Sequence, residues 1–177
     1  PVRAAVSSPQ SAARLPDPSI PWVVFDFNDP QTYPAAFAGV DRLFLMRPPQ
    51  ISDVERSIKP AMDYAAANGV RQIVFLSLIG AEKNKVVPHA GVEKLLMAGA
   101  IPYTLLRAGF FMQNLSTTHR LDIVEYDDVF VPAGKGKTAF VDTRDLAAVA
   151  AVALTTPGHD NQAYPLTGSE ALDYGEV

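Results

Sequence analysis

RQIVFLSLIGAEKNKVVPHAGVEKLLMAGAIPYTLLRAGFFMQN, residues 71–114, is the stretch whose reading decides the fold. Residues 73–76 are apolar without interruption and lead into a polar loop. Residues 88–98 have the spacing of an amphipathic helix, Gly99 stops it, and residues 103–106 form a second apolar run. A strand that is apolar at successive positions must be covered on both faces, which is the condition of a parallel sheet between helices. Strand, helix and strand together make a βαβ unit. Open parallel sheets bind ligands beyond the carboxyl ends of their strands, so residues 77–80 and 107–114 are where chemistry is sought first.

Working outward, residues 2–6 and 22–26 read as short strands, joined by a proline-rich connection with a helical turn around residues 11–15. Asn28-Asp29-Pro30 starts a helix that ends near Gly39, with a capping side chain and then a proline pre-set for the first turn. Residues 42–46 are the third strand. Ser52 and Glu55 form an S-x-x-E capping box for a helix reaching Asn68, with either a kink or a restart at Pro60. Beyond the central unit, residues 111–124 read as helical, and residues 129–131 and 139–141 as two strands joined by PAGKGKT. Residues 146–154 form an alanine-rich helix capped by Asp145 or Thr143, and residues 164–167 a closing strand. Gly39, Gly69 and Gly99 recur thirty residues apart, each between a helix end and a buried strand. That is the length of a βα unit, with glycine where a left-handed C-cap is needed. The reading is one α/β domain over residues 1–177: a doubly wound parallel sheet of at least five strands in three α/β/α layers, with a small C-terminal extension.

The 177 residues are 48% hydrophobic and 19% charged, an ordinary globular balance. A net charge of −4 with no lysine/arginine run argues against direct nucleic-acid binding. No apolar run approaches membrane-spanning length. The absence of cysteine excludes disulfides, thiolate catalysis and cysteine-ligated zinc. His119 and His159 have no partners at metal-ligand spacing, so no metal site is expected. The chain opens at the run into a strand and stops at Val177 as a new helix begins, so a piece of a longer protein is expected.

A doubly wound sheet commonly binds a dinucleotide through a glycine-rich turn after its first strand. No glycine precedes Gly39, and Gly134-Lys135-Gly136 reads as a plain turn. FDFNDP (residues 25–30), VRQIVFLSLIGAEKN (70–84), PHAGVEKLL (88–96), IPYTLLRAGFFMQN (101–114) and KTAFVDTRDLAAVA (137–150) resemble, in order, the NmrA-like branch of the atypical short-chain dehydrogenases/reductases. The resemblance implies a Rossmann-like domain with a smaller substrate region. It places the glycine-rich strand and loop upstream of Pro1 and much of the substrate region after Val177. The strand so left out would be the central one, between residues 2–6 and 42–46. Each orphaned buried backbone group there would cost roughly 1–3 kcal/mol, so residues 1–177 alone are expected not to fold stably.

The resemblance also assigns roles. Ser7, followed by Ser8, stands where an arginine often holds the adenosine 2′-phosphate. A serine can hydrogen-bond a phosphate but brings no charge, which weakens NADP preference, and no acid sits there to imply NAD; NADP or NAD is expected, with NADP slightly preferred. Arg3 is read as a solvated strand end. Asp26 is either the adenine-side acid or a turn residue. Arg47, Pro48, Ser77 and Leu78 lie where strand ends pass the pyrophosphate and nicotinamide, with Ser77 also a candidate donor. In place of Tyr-x-x-x-Lys the chain carries His89 and Glu93. A spacing of four puts both on one helix face, and the carboxylate would favour a protonated imidazole able to pass a proton to a carbonyl or quinone oxygen. The alternative is a helix-start histidine in a surface ion pair. Lys85 and Lys94 are further candidates for a proton or a charge. Phe110 and Asn114 fall on the cofactor side and Phe111 on that of a flat acceptor, with packing as the alternative for both phenylalanines. The expected function is an NAD(P)H-dependent oxidoreductase transferring hydride to a small quinone-like or aromatic acceptor. The alternative is a non-catalytic dinucleotide-binding redox sensor and transcriptional regulator acting through a protein partner. A cytoplasmic protein off the membrane, compatible with a homodimer, is expected.

Overall fold

The computed structural model describes residues 2–177. In chain order the elements are β1 (Ala4–Val6), α1 (Pro9–Ala12), β2 (Trp22–Val24), a 3-10 turn (Pro30–Thr32), α2 (Tyr33–Phe37), β3 (Arg42–Met46), α3 (Val54–Ala67), β4 (Gln72–Leu78), α4 (Pro88–Ala98) and β5 (Tyr103–Ala108). There follow β6 (Phe110–Phe111), α5 (Gln113–Ser116), α6 (Arg120–Tyr126), β7 (Thr138–Val141), α7 (Thr143–Thr155), β8 (Gln162–Leu166) and β9 (Ala171–Leu172).

β3, β4, β5 and β8 form a parallel sheet in that order, with β4 and β5 at its centre. Along β4 the alternation sorts the side chains: Ile73 and Phe75 join the core under α3 and α4, while Val74 faces Leu106, Ala150 and Ala153 on the side of α7. Removing each such side chain from water contributes about 1.5–3 kcal/mol. Helices thus cover both faces, as the unbroken apolar run requires. The expectation of a single sheet of at least five parallel strands is corrected. β1 and β2 pair in parallel with each other and not with β3, so these strands divide into a two-stranded and a four-stranded parallel sheet. Phe25 and Phe27, just past β2, still pack into the core that holds Leu45. Phe44 and Met46, on the opposite face of β3, remain exposed. Arg3, read as a solvated strand end, instead donates to the carbonyls of Ala36 and Ala38, both at 2.8 Å, closing the end of α2.

Three caps differ from their sequence reading. α3 is capped by Asp53, which accepts from the Arg56 amide at 3.1 Å, and not by a Ser52–Glu55 box. Glu55 still sits in the first turn, where a carboxylate favours the helix dipole. The helix runs unbroken through Pro60, whose face is exposed, so water can take the Arg56 carbonyl that the proline leaves free. α7 is capped by Asp142, accepting from the Arg144 amide at 2.7 Å, rather than by Thr143 or Asp145. Gly39 and Gly69 are left-handed (φ +67° and +87°), whereas Gly99 is extended (φ −80°, ψ 174°) and ends α4 without that conformation.

Residues 111–124 are not one helix: Phe111, with Phe110, pairs in parallel with Phe140 and Val141 and is held extended, and the rest divides into α5 and α6 at Thr117, which leaves the helical region (φ −122°, ψ −78°). Residues 129–131 form no strand and there is no hairpin: β7 is flanked by β6 on one side and antiparallel β9 on the other. Backbones crowd here. A Cβ on Gly109 would lie 2.4 Å from the Ala139 carbonyl oxygen, and one on Gly168 2.1 Å from that of Phe140.

Candidate functional site

The register of the main sheet sets three polar side chains in one row. Ser77 on β4 is the partner of Arg107 on β5, and Arg47 follows Met46, the partner of Leu76, so it stands level with Ser77. Each continues the alternation of core residues on the α4 side: Leu45 then Arg47, Phe75 then Ser77, Leu105 then Arg107. The apolar floor ends and the polar row begins at the carboxyl ends of the strands.

Glu93 reaches this row from α4, buried between Val92 and Leu96. The Arg107 guanidinium grips it in bidentate fashion, Nε to Oε1 at 3.0 Å and Nη2 to Oε2 at 2.7 Å. Ser77 Oγ donates to Oε1 at 2.6 Å. With 3% of its side chain exposed, the carboxylate could not remain there unpaired. Donating its hydrogen bonds to Glu93 raises the pKa of Arg107, and Glu82 lies 3.6 Å from its Nε. Ser77 spends its proton on Glu93, so its free capacity is as an acceptor, which corrects its reading as a donor.

His89 sits one turn earlier on α4, half-buried, with its ring 6.0 Å from that of Phe75. Its pKa is lowered, first by burial and then by the Arg47 charge, with Glu93 opposing more weakly. The expectation that Glu93 holds His89 protonated is therefore corrected: both carboxylate oxygens are engaged by Arg107 and Ser77. The lowered pKa favours the neutral imidazole, which carries one N–H, and makes the imidazolium a stronger acid. Lys85 and Lys94 are exposed.

Arg47 curls over the loop after β3, Nη1 donating to the carbonyls of Pro48 (2.7 Å), Pro49 (3.1 Å) and Ile51 (2.6 Å). Its Nε is buried with no hydrogen-bond partner among the described residues. Such an orphaned donor at the carboxyl edge of a parallel sheet fits the oxygen of a bound anionic or carbonyl group. Leu78 ends β4 opposite Ala108. A cleft of about 360 Å³, lined in part by Phe27, Tyr33, Ile51, Ser52, Asp53 and Arg56, opens at the same edge past β2 and β3.

Ser7 and Asp26 lie together past β1 and β2, as the pairing of Val6 with Val24 requires. Asp26 Oδ1 accepts from the Asn28 amide at 2.8 Å and so shapes the turn. Phe110 packs among His119, Phe140 and Tyr174, and Phe111 against Ala108, Val141 and Leu146. Both rings are thus committed to packing at least in part. Asn114 is half-buried on α5, its carbonyl accepting from the His119 amide at 2.8 Å. His159 is satisfied by Thr156 and Tyr164, each at 3.0 Å. The site thus brings Arg47, Ser77, His89 and Glu93 together. It leaves Ser7 and Asp26 past the ends of β1 and β2, and Phe110, Phe111 and Asn114 beyond β5. Arg107, not read from the sequence as a site residue, is its hub.

A polar row at the carboxyl edge of a doubly wound parallel sheet, with a cleft beside it, defines the Rossmann-like class of dinucleotide proteins. The chain belongs to the NAD(P)H-binding family, whose sequence pattern matches residues 1–157. It is 36% identical over 181 residues to the NAD(P)H azoreductase of Xenophilus azovorans, covering 100% of this chain and 63% of that protein. It superposes on the triphenylmethane reductase of Citrobacter sp. complexed with NADP(H), at a TM-score of 0.82 and 26% identity over 98% of this chain and 63% of that one. It superposes equally well, at 0.82 and 29% identity, on the NADPH-dependent quinone oxidoreductase QOR2 of Escherichia coli complexed with NADPH, over 96% of this chain and 60% of that one. The chain thus spans a little under two thirds of the length of these relatives. Among the described residues no helix is long and apolar enough to cross a membrane.

Proposed function

We propose that the protein is an NAD(P)H-dependent reductase of small quinone-like or aromatic acceptors. The observation that carries this is the strand-end row, in which a half-buried His89 stands above β4 beside the orphaned Arg47 Nε. The names of the relatives, an azoreductase, a quinone oxidoreductase and a triphenylmethane reductase, support the acceptor class.

Arg47 and the backbone of Pro48 and Leu78 would hold the pyrophosphate–nicotinamide half of the dinucleotide, and Ser77 Oγ would accept a hydrogen bond. When bound, the cofactor supplies a hydride. The chain's own part is orientation, exclusion of water and a proton. His89 passes that proton to the acceptor oxygen or nitrogen, and its suppressed basicity makes the imidazolium a willing donor. Glu93 acts through Arg107 and Ser77, fixing α4 and with it the height of His89 above the sheet. Phe111 borders the acceptor.

The test is oxidation of NADPH and NADH by the full-length protein against a panel of quinones, azo dyes and triphenylmethane dyes, with nucleotide binding followed in parallel by thermal shift. Turnover on any of them supports the reading. Binding without turnover would replace it with the dinucleotide-sensing regulator, for which the loss of the Tyr-x-x-x-Lys pair speaks.

A further inference from the structure

The face of the main sheet turned away from His89 carries a recess of its own. It measures about 260 Å³ and lies between α7 and β8, lined by Val149, Val152, Pro165 and Leu166 with His159 and Tyr164 at its wall. Tyr164 pairs with Leu106 and packs, like Leu166, on the cluster of Val74 and Ala150. The sheet therefore separates this recess from the row of Ser77 and Arg107.

A directed chain of hydrogen bonds ends there. Thr156 Oγ1 donates to the Val152 carbonyl at 2.8 Å, so its proton is spent and it can only accept from His159 Nε2, 3.0 Å away. In the neutral imidazole, donation through Nε2 leaves Nδ1 bare, and Nδ1 takes the Tyr164 hydroxyl proton at 3.0 Å. Among the described residues nothing donates to the Tyr164 oxygen in return. Its own donation to the imidazole makes that oxygen the better acceptor. The arrangement is held from behind, since the His159 carbonyl accepts from the fully buried Thr104 hydroxyl at 2.7 Å.

We propose that this recess binds a small phenol, with its ring among the aliphatic side chains and its hydroxyl donating to Tyr164 Oη. Apolar walls with one placed polar group are the composition of a small-molecule site. The size fits a single substituted ring, since an apolar cavity of about 150 Å³ already takes benzene. A ligand that offers only lone pairs would meet those of Tyr164 and gain no hydrogen bond. The site lies apart from the dinucleotide edge and does not rest on the reductase reading.

The experiment follows methyl-labelled full-length protein by NMR as phenol or anisole is added, anisole keeping the ring and the oxygen but not the donor. Phenol should shift the methyl signals of Val149, Val152 and Leu166 saturably. It should bind about three- to ten-fold more tightly than anisole, the worth of one hydrogen bond. Saturating NADPH should leave that affinity unchanged. Tyr164→Phe combined with His159→Leu, which leaves no bare ring nitrogen to take the hydroxyl, should erase the preference and keep anisole binding. Val152→Trp, at a half-exposed side chain, should fill the recess and abolish binding of both, with circular dichroism confirming the fold of each variant. No saturable shift at these methyls, anisole as tight as phenol, or a preference that survives the double variant overturns the inference. So does displacement of phenol from these methyls by NADPH, or full binding by Val152→Trp.

Discussion

Replacing Arg107 by methionine removes the two charge-assisted bonds at 3.0 and 2.7 Å and leaves the Glu93 carboxylate with Ser77 alone. Glu93 is 2% exposed, so water cannot replace the guanidinium. Breaking a buried pair from one side costs about 3–5 kcal/mol. At about 2–4 °C per kcal/mol for a domain of this size, the melting temperature should fall by roughly 6–20 °C. The double variant Glu93→Leu/Arg107→Met removes both charges and should recover most of that loss, since an apolar replacement of a buried pair is often neutral. Urea and thermal unfolding of wild type, both single variants and the double variant on the full-length protein give the coupling directly. A loss below about 1 kcal/mol for Arg107→Met would mean that the pair behaves as an exposed one. A double variant no better than the single would be equally damaging to the account of Glu93 as an obligate partner.

Asp53→Ala should cost about 1 kcal/mol as the loss of an N-cap, whereas Ser52→Ala should change stability by much less, as denaturant midpoints will show. Gly168→Ala forces a Cβ within 2.1 Å of a carbonyl oxygen and should destabilise by about 1–3 kcal/mol in the same assay. Burial and Arg47 lower the His89 pKa from 6.5, so below that pH the unfolded chain binds the more protons. Stability should therefore fall as pH drops from 6.5 through the folded value and stay flat above, a slope that His89→Asn removes in pH-resolved melts. For the same reason kcat/KM should decline as pH rises through a value below 6.5, with the imidazolium as donor.

The β4–α4–β5 unit was legible because each element declares its own period: successive apolar residues for doubly covered strands, the helical spacing of Val92 and Leu96 for α4. Pairing was less so. Nothing in β1 or β3 themselves says that they do not pair; that expectation came only from the resemblance, which places another strand between them. The caps were misplaced by one to three residues because Ser52, Asp53, Asp142 and Thr143 are all competent cap types, and only backbone geometry chooses. Phe111 lost its place in a helix to tertiary pairing with β7, which no local propensity encodes. Within the site, His89 and Glu93 were correctly set one turn apart, but the pair was read on its helix in isolation. The strand alternations 73, 75, 77 and 103, 105, 107 already put Ser77 and Arg107 on the face that α4 covers. Counting them would have given Glu93 its true partners.

The account stands most directly on a single-turnover experiment, in which full-length protein loaded with NADPH is mixed rapidly with a quinone and the oxidation of the nicotinamide is followed. Wild type should consume one equivalent per bound cofactor, and His89→Asn should slow that step by about 10²–10⁴-fold without weakening NADPH binding. An unchanged rate in His89→Asn would remove His89 from the chemistry, and no oxidation in wild type with tightly bound NADPH would contradict the reductase itself.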